Sequence, residues 1–408
     1  MGRLTATIVA AGVMTLLLGC RERAEAVQSE AELKQMVRQL TPAVEQATGL
    51  TFSTAPTVLR RTRAQVRDYL IHKFDEELPP GEREGYLAAH RLFGLWPDTL
   101  DFREVFLDLL TEQVAGYYDP DSGALFVPTD VDPALLRLTL AHELVHALQD
   151  QYANLDSIIG QRRQNDRRMA AQSVLEGQAT LAQMSVLMPE QDVDRLPSFY
   201  ETARPLRRQQ SLMPQFARAP GWLREGLIFP YLGGGDFMRW FVKRHPGRQP
   251  FDAMPVSTEQ ILHPERYAAG DAPTALAFTG SAEGVRYEDG LGEFETRLLF
   301  VELLDDTLEQ IAPGLAAGWD GDRYRVIADG EGRDALVWYS VWDDAAAANR
   351  FAEGLQRAWR ARRRGDTARR WRVERLEVEG RPAVRLIDAP SDWNGWGAPP
   401  EVRVSGES

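Results

Sequence analysis

Residues 141–150 read Ala-His-Glu-Leu-Val-His-Ala-Leu-Gln-Asp, and this stretch decides how the rest of the chain is interpreted. On an α-helix, side chains four residues apart lie one turn apart on the same face. His142 and His146 therefore direct two imidazoles to one place, and the spacing suits a single Zn²⁺ ion. Glu143 lies beside them, where it can take a proton from a water molecule at the metal. The motif predicts a zinc metallohydrolase site.

The residues around the motif are typical of a buried helix. Asp132 precedes Pro133, which is the order of an N-cap and a first-turn proline. Apolar residues from Leu135 to Leu148 cover most of the helix circumference, so both histidines are expected inside the protein. Upstream, two apolar runs flank Asp-Pro-Asp-Ser-Gly at 119–123, which predicts a β-hairpin. A pair of core histidines without a metal is the alternative interpretation.

A catalytic zinc ion usually has three protein ligands and one open position. A second helix, predicted from Asp166 to Met188, carries Glu176 as the only acid between Arg167 and Met188. Glu176 is therefore the predicted third ligand, with an ordinary exposed helix glutamate as the competing interpretation. Other candidates are Asp156 and Asp166 in the polar loop and the downstream histidines His245 and His263.

These residues resemble the gluzincins, the thermolysin-like branch of HExxH metallopeptidases. The resemblance implies that His142, His146 and Glu176 are the ligands, that Glu143 is the base, and that Asp150 orients the second histidine through its other ring nitrogen. It also implies that the strand at 124–127 is the edge strand that binds extended peptide backbone. Thr180 departs from the pattern, because thermolysin-like enzymes carry an acid at that place.

More closely, the chain resembles an uncharacterised group of exported bacterial and archaeal HExxH proteins. The resemblance rests on residues 141–151, on the Phe-Pro-Tyr segment that begins at Phe229, and on Ser257 to Tyr267. Attack on a carbonyl builds an oxyanion that a Tyr or His donor can stabilise. The candidates for this catalytic role are Tyr231, His263 and Tyr267, each of which could instead be structural. Arg266 is a weaker candidate for binding a substrate carboxylate.

The start of the chain predicts export and a lipid anchor. Arg3 is followed by an apolar run from Leu4 to Leu18, which is too short to span a membrane as a mature helix. The run ends in Leu-Leu-Gly-Cys, and Cys20 is the only cysteine in the sequence. This arrangement resembles a bacterial lipoprotein signal, which predicts lipidation at Cys20 and a periplasmic or outer-surface location in the cell envelope. A plain signal peptide or an N-terminal anchor is the alternative.

The last part of the chain predicts a separate α+β module. Helix and hairpin patterns alternate as α-β-β-α-β-β from Gly292 to Ile387. Seven tryptophans between Gly292 and Ser408 could form either a core or a binding surface. The predicted fold class is α+β, with a mainly helical zincin-like domain, a short β-hairpin or sheet, and this smaller module. The predicted boundaries are 1–20 for the signal peptide, 21–110 for a tether and helices, 111–270 for the catalytic domain and 285–408 for the module.

The prediction is an exported, Zn²⁺-dependent peptidase that acts on a peptide or protein and is held at a membrane by its lipid. A net charge of −13 argues against a nucleic-acid partner, since phosphate binding needs a basic surface. The alternative is a catalytically inactive zinc-binding envelope lipoprotein that acts as a binding or assembly module. An intact Glu143 argues against this alternative, because an inactive site has no need of a base.

Overall fold

A computed structural model describes residues 29–160, 162–304 and 311–406, so the predicted signal peptide and Cys20 lie outside the described residues. The helices are α1 (Glu30–Thr48), α2 (Arg63–Glu77), α3 (Pro80–Phe93), α4 (Phe102–Gln113), α5 (Pro133–Tyr152), α6 (Leu155–Ile159), α7 (Asn165–Leu187), α8 (Arg204–Gln210), α9 (Pro214–Arg218), α10 (Gly221–Arg244), α11 (Thr258–Leu262), α12 (Pro264–Ala269), α13 (Gly292–Leu303), α14 (Ala312–Ala316) and α15 (Ala345–Arg362). The strands are β1 (Thr57–Arg61), β2 (Tyr117–Asp119), β3 (Ala124–Pro128), β4 (Leu276–Phe278), β5 (Val285–Asp289), β6 (Trp319–Ala328), β7 (Asp334–Trp342), β8 (Arg369–Val378), β9 (Arg381–Pro390) and β10 (Val402–Val404).

The α+β fold class is confirmed, with helices dominating the first part of the chain and strands the last part. The motif helix α5 begins where the sequence predicts. The Asp132 carboxylate accepts a hydrogen bond from the Ala134 amide and Pro133 occupies the first turn. The apolar residues of α5 from Leu140 to Leu148 are buried, so the part of the helix that carries the motif is fixed in the core.

Helix α10 corrects one prediction. The sequence predicts a helix from about Leu232, after a loop, but α10 begins at Gly221 and continues through Pro230. The close contact between α10 and α7 explains why this segment is helical despite its glycines. A Cβ atom on Gly234 would lie 1.9 Å from the Ser173 carbonyl oxygen, and one on Gly177 would lie 2.2 Å from Gly234. Glycines that weaken an isolated helix are thus required for packing at this crossing.

The small sheet also differs from the expectation. The predicted hairpin is present as β2 and β3, but a strand that the sequence did not predict, β1, pairs in parallel with β3. The strand order is β1-β3-β2, so β3 is central and has partners on both sides. The prediction that the strand at 124–127 is a free edge is therefore wrong. The edge on the side of the hairpin is β2.

The C-terminal part contains a five-stranded sheet of order β5-β6-β7-β9-β8, with antiparallel pairs throughout. The two predicted hairpins and the helix between them are present as β6–β7, α15 and β8–β9. Trp319, Trp338, Trp342 and Trp359 are all buried, which places these tryptophans in the core rather than on a binding surface.

The N-terminal helices pack directly on this sheet. The ring of Phe93 at the end of α3 lies 5.1 Å from Tyr324 and 5.2 Å from Trp338, both edge to face. One hydrophobic cluster extends from α2 to β9. The domain boundaries drawn from the sequence remain a prediction. Among the described residues, no helix has the length and apolar character needed to cross a membrane.

Candidate metal centre

Three side chains from α5 and α7 meet in the core. The Nε2 atoms of His142 and His146 lie 3.1 Å apart, and a carboxylate oxygen of Glu176 lies 3.0 Å from the first and 3.4 Å from the second. None of the three side chains is more than 7% exposed. Among the described residues, this is the one group of three or more His, Cys, Asp or Glu side chains whose ligand atoms converge closely enough to hold a metal ion.

The geometry and chemistry of this group fit a zinc ion. Tetrahedral zinc with bonds of about 2.0–2.1 Å places neighbouring ligand atoms about 3.3 Å apart, close to the three distances observed. Two imidazoles and one carboxylate form a common donor set of catalytic zinc sites. Burial alone would raise the pKa of Glu176. The two histidines have the larger effect and lower this pKa to about 2. A buried carboxylate in this state requires a positive charge beside it, which a metal ion would supply.

Glu143 is a buried acid next to the cluster, with the charge of His146 and the backbone of Tyr118 near its carboxylate. It is fully buried, and neither of its carboxylate oxygens has a hydrogen-bond partner within the described structure. Burial raises its pKa to about 8. A Cβ atom on Gly116, just before β2, would lie 3.8 Å from Glu143 Cγ, so the edge of the small sheet passes beside this carboxylate. A group with this pKa can both accept and return a proton near neutral pH.

The residue that orients His146 is not the one predicted. His146 Nδ1 lies 2.8 Å from the amide oxygen of Gln149, one residue before the predicted Asp150. Asp150 instead accepts a hydrogen bond of 2.8 Å from the hydroxyl of Tyr118 on β2, which ties the sheet to α5. Residues three apart on a helix share a face, just as residues four apart do. The spacing of His146 and Gln149 could therefore have indicated this contact.

Of the three candidate oxyanion donors, the structure brings one to the site. The Tyr231 ring stacks on His142 at 5.8 Å and its hydroxyl hydrogen-bonds to Glu176. Burial, followed by the charges of Glu176 and Glu143, raises the pKa of Tyr231 well above its usual range, so the hydroxyl keeps its proton.

The other two candidates have structural contacts elsewhere. His263 Nε2 lies 3.0 Å from a Glu293 carboxylate oxygen, and the Tyr267 hydroxyl donates to the Ala253 carbonyl. Neither residue contacts the cluster of His142, His146 and Glu176. The described contacts do not bring His263 or Tyr267 to the cluster, and their catalytic roles stay predictions.

Asp166, an alternative third ligand, lies apart from the cluster. Asp166, at the start of α7, accepts hydrogen bonds from the backbone and hydroxyl of Thr258, and Asp156 belongs to α6. Arg266 pairs with Asp271 at 2.7 Å and with Asp343, so its charge is already matched.

A cavity of about 230 Å³ adjoins the cluster, with Glu176 and Tyr231 in its wall. Arg168, which also lines it, lies two turns before Glu176 on α7, roughly 12 Å along the helix axis. Aromatic and aliphatic residues from three helices form much of the remaining lining: Phe74, Phe102, Phe106, Trp222, Leu223 and Leu227. This cavity was not predicted from the sequence, because its wall comes from elements far apart in the chain.

Three comparisons with known proteins found similarities to this chain. A family described as a domain of unknown function (DUF8575) matches residues 282–391, in the C-terminal part. The chain is 30% identical over 141 residues to the radiation response metalloprotease IrrE of Deinococcus deserti, which is 35% of this chain and 45% of that relative. The chain therefore spans less than half of the length of this relative. A crystal structure from Chloroflexus aurantiacus, provisionally described as a hydrolase with a novel fold, is similar at 17% identity and a TM-score of 0.38, over 59% of this chain and 89% of that one.

Proposed function

We propose that this protein is a zinc-dependent metallopeptidase of the gluzincin type. The observation that carries the proposal is the convergence of the two imidazoles and the carboxylate, with the buried Glu143 beside them. The partial similarity to a metalloprotease supports the same class of reaction. His142, His146 and Glu176 would hold the metal.

A zinc ion held by these three residues would act as a Lewis acid that activates water and polarises a carbonyl group. Glu143 accepts the proton of the attacking water, and its raised pKa suits this step because the carboxylate is basic enough to hold the proton. Glu143 then returns the proton to the leaving amine. Tyr231 remains protonated, and its hydroxyl would turn from Glu176 to donate a hydrogen bond to the oxygen that gains negative charge on the substrate carbonyl.

The substrate in this proposal is a peptide in an extended conformation. β2 is an outer strand of its sheet in the described part of the chain and begins beside Glu143, and an extended peptide can add to such an edge. The apolar cavity next to Glu176 and Tyr231 would then take a large apolar side chain of the substrate.

Replacing Tyr231 by phenylalanine is expected to lower kcat by about 10²–10³-fold with little change in KM. The ring and its stacking on His142 stay, and only the hydroxyl is lost. His263→Ala serves as the comparison, because the structure places His263 against Glu293. The measurement is steady-state cleavage of a quenched fluorescent peptide. If His263→Ala were the slower variant, the assignment of the oxyanion donor to Tyr231 would be wrong.

Cleavage of a peptide library tests the function itself. The purified protein should contain about one zinc per chain, cut next to large apolar residues, lose activity with a chelator and regain it with added zinc. Tight zinc binding without cleavage of any peptide would instead favour the inactive binding or assembly module.

We also propose that the protein is exported and lipid-anchored through Cys20. In a bacterial host, the wild type should incorporate an alkyne-labelled fatty acid and sediment with membranes, whereas Cys20→Ala should be unlabelled and remain soluble. Cys20 is the sole cysteine, so no other cysteine can take up the fatty-acid label. Equal membrane binding and labelling of both proteins would contradict the anchor.

A further inference from the structure

Three glutamine side chains form a continuous chain of hydrogen bonds that begins at His146. Gln149 Oε1 lies 2.8 Å from His146 Nδ1, and Gln149 Nε2 donates to the Leu175 carbonyl at 2.9 Å and to Gln178 Oε1 at 3.0 Å. Gln178 Nε2 donates to Gln249 Oε1 at 3.0 Å, and Gln249 Nε2 donates to the Thr48 carbonyl at 2.9 Å. Each amide accepts at its oxygen and donates at its nitrogen.

The direction of this chain is fixed by a backbone carbonyl near each end. The Leu175 carbonyl can only accept, so the atom of Gln149 that faces it must be the amino group. The Thr48 carbonyl also can only accept, and this fixes Gln249 in the same way. As Thr48 is the last residue of α1, its carbonyl lacks a partner within the helix and the amide of Gln249 satisfies it.

This direction determines the proton position on His146. Because the amide oxygen of Gln149 faces Nδ1, Nδ1 must carry the proton, and the lone pair of the neutral ring is then at Nε2, next to Glu176 and His142. A ring held in the other tautomer would present a hydrogen at the metal position. The amide oxygen thus selects the one form of His146 that can bind a metal ion.

We propose that Gln149 is a positioning residue that fixes the tautomer and ring orientation of His146, and that Gln178 and Gln249 hold Gln149 in turn. The proposal rests on the proposed function only in that His146 is taken as a metal ligand. Gln149 and Gln178 are buried, so water does not compete for their hydrogen bonds. A hydrogen-bonded partner at the outer nitrogen of a ligating histidine typically contributes 10–100-fold to metal affinity.

The test uses Gln149→Met, which keeps the side-chain length but removes both the acceptor and the donor. We expect its zinc Kd, measured by chelator competition, to rise by about 10–100-fold. Gln178→Met should change the Kd in the same direction by less. Gln149→Glu retains an acceptor opposite Nδ1 and should give a Kd closer to that of the wild type than Gln149→Met does.

The matched control is Gln183→Met. Gln183 is also a buried glutamine, on α7, and it donates to the Leu138 carbonyl at 2.9 Å without touching the cluster. The variant loses one buried hydrogen bond and should keep the wild-type Kd. If Gln149→Met and Gln183→Met had the same Kd, the inference would be overturned.

A spectroscopic measurement separates positioning from general destabilisation. The ¹⁵N-histidine spectrum of the metal-free protein is recorded above pH 9, because the charge of Glu176 outweighs burial and raises the pKa of His146 to about 9. In the neutral ring at that pH, the Nδ1–H signal of His146, assigned by its absence in His146→Ala, should be present in the wild type and in Gln183→Met but missing in Gln149→Met. A wild type that bound no zinc would contradict the proposed function, and the tautomer would still be measurable. Detection of His146 as the Nε2–H tautomer in the wild type would refute the role of Gln149.

Discussion

Replacing Glu143 by glutamine should lower the rate of peptide cleavage by about 10²–10⁴-fold, while the protein keeps one zinc per chain. The amide has nearly the same shape as the carboxylate but cannot accept a proton from water. Zinc should remain because Glu143 is not among the three converging ligand atoms. The measurements are kcat/KM and metal content on the same sample.

The thermal stability of Glu143→Gln should not fall below that of the wild type. Both oxygens of Glu143 are buried without hydrogen bonds of normal geometry, so the ionised carboxylate that forms above its pKa of about 8 costs more free energy than a neutral amide does. Loss of activity therefore cannot be attributed to unfolding. A residue kept for packing would show the opposite behaviour, namely a lower melting temperature with activity preserved.

Glu293→Gln is the matched control for this experiment. Glu293 is also buried, has one unpartnered carboxylate oxygen, and holds His263 at 3.0 Å. Because neither Glu293 nor His263 contacts the cluster, Glu293→Gln should retain cleavage. If Glu143→Gln kept full activity, or if Glu293→Gln lost as much as Glu143→Gln, the assignment of the base would be wrong.

The parts of the site that the sequence predicted are those set by local geometry. His142, Glu143 and His146 are positioned by the pitch of one helix, so their spacing is sufficient to predict that they cluster. Glu176 was predicted from its isolation as the only acid between Arg167 and Met188, and the crossing of α7 with α5 brings it to the same place.

The parts that the sequence did not predict depend on contacts between distant segments. Strand β1 has no hairpin partner and pairs in parallel with β3, so no turn next to it reveals its position. Helix α10 passes through Pro230 and three glycines that disfavour a helix in isolation, but its contact with α7 outweighs this preference. Gln249 reaches the site only through Gln178, and no sequence spacing indicates that connection.

Glu176→Ala should weaken zinc binding by more than the roughly 100-fold that loss of an orienting hydrogen bond can cause, because it removes a ligand itself. Its carboxylate lies within 3.4 Å of both imidazoles, and it is the negative member of the donor set. The remaining two histidines would have to hold a dication in the core without a compensating charge, which is unfavourable in a buried site.

A thermal shift measurement gives a direct comparison for Glu176→Ala. Zinc at 100 times its Kd should stabilise the wild type by about 2.7 kcal/mol, and the same zinc concentration should leave Glu176→Ala unchanged. Thr180→Ala is the control, since Thr180 is fully buried one turn later on α7 and its hydroxyl has no hydrogen-bond partner in the described structure. This variant should respond to zinc as the wild type does. A zinc-induced shift that survived in Glu176→Ala would require another third ligand. A shift lost in Thr180→Ala would mean that the Thr180 hydroxyl supports the site. The two variants together decide whether Glu176 binds the metal or only packs beside it.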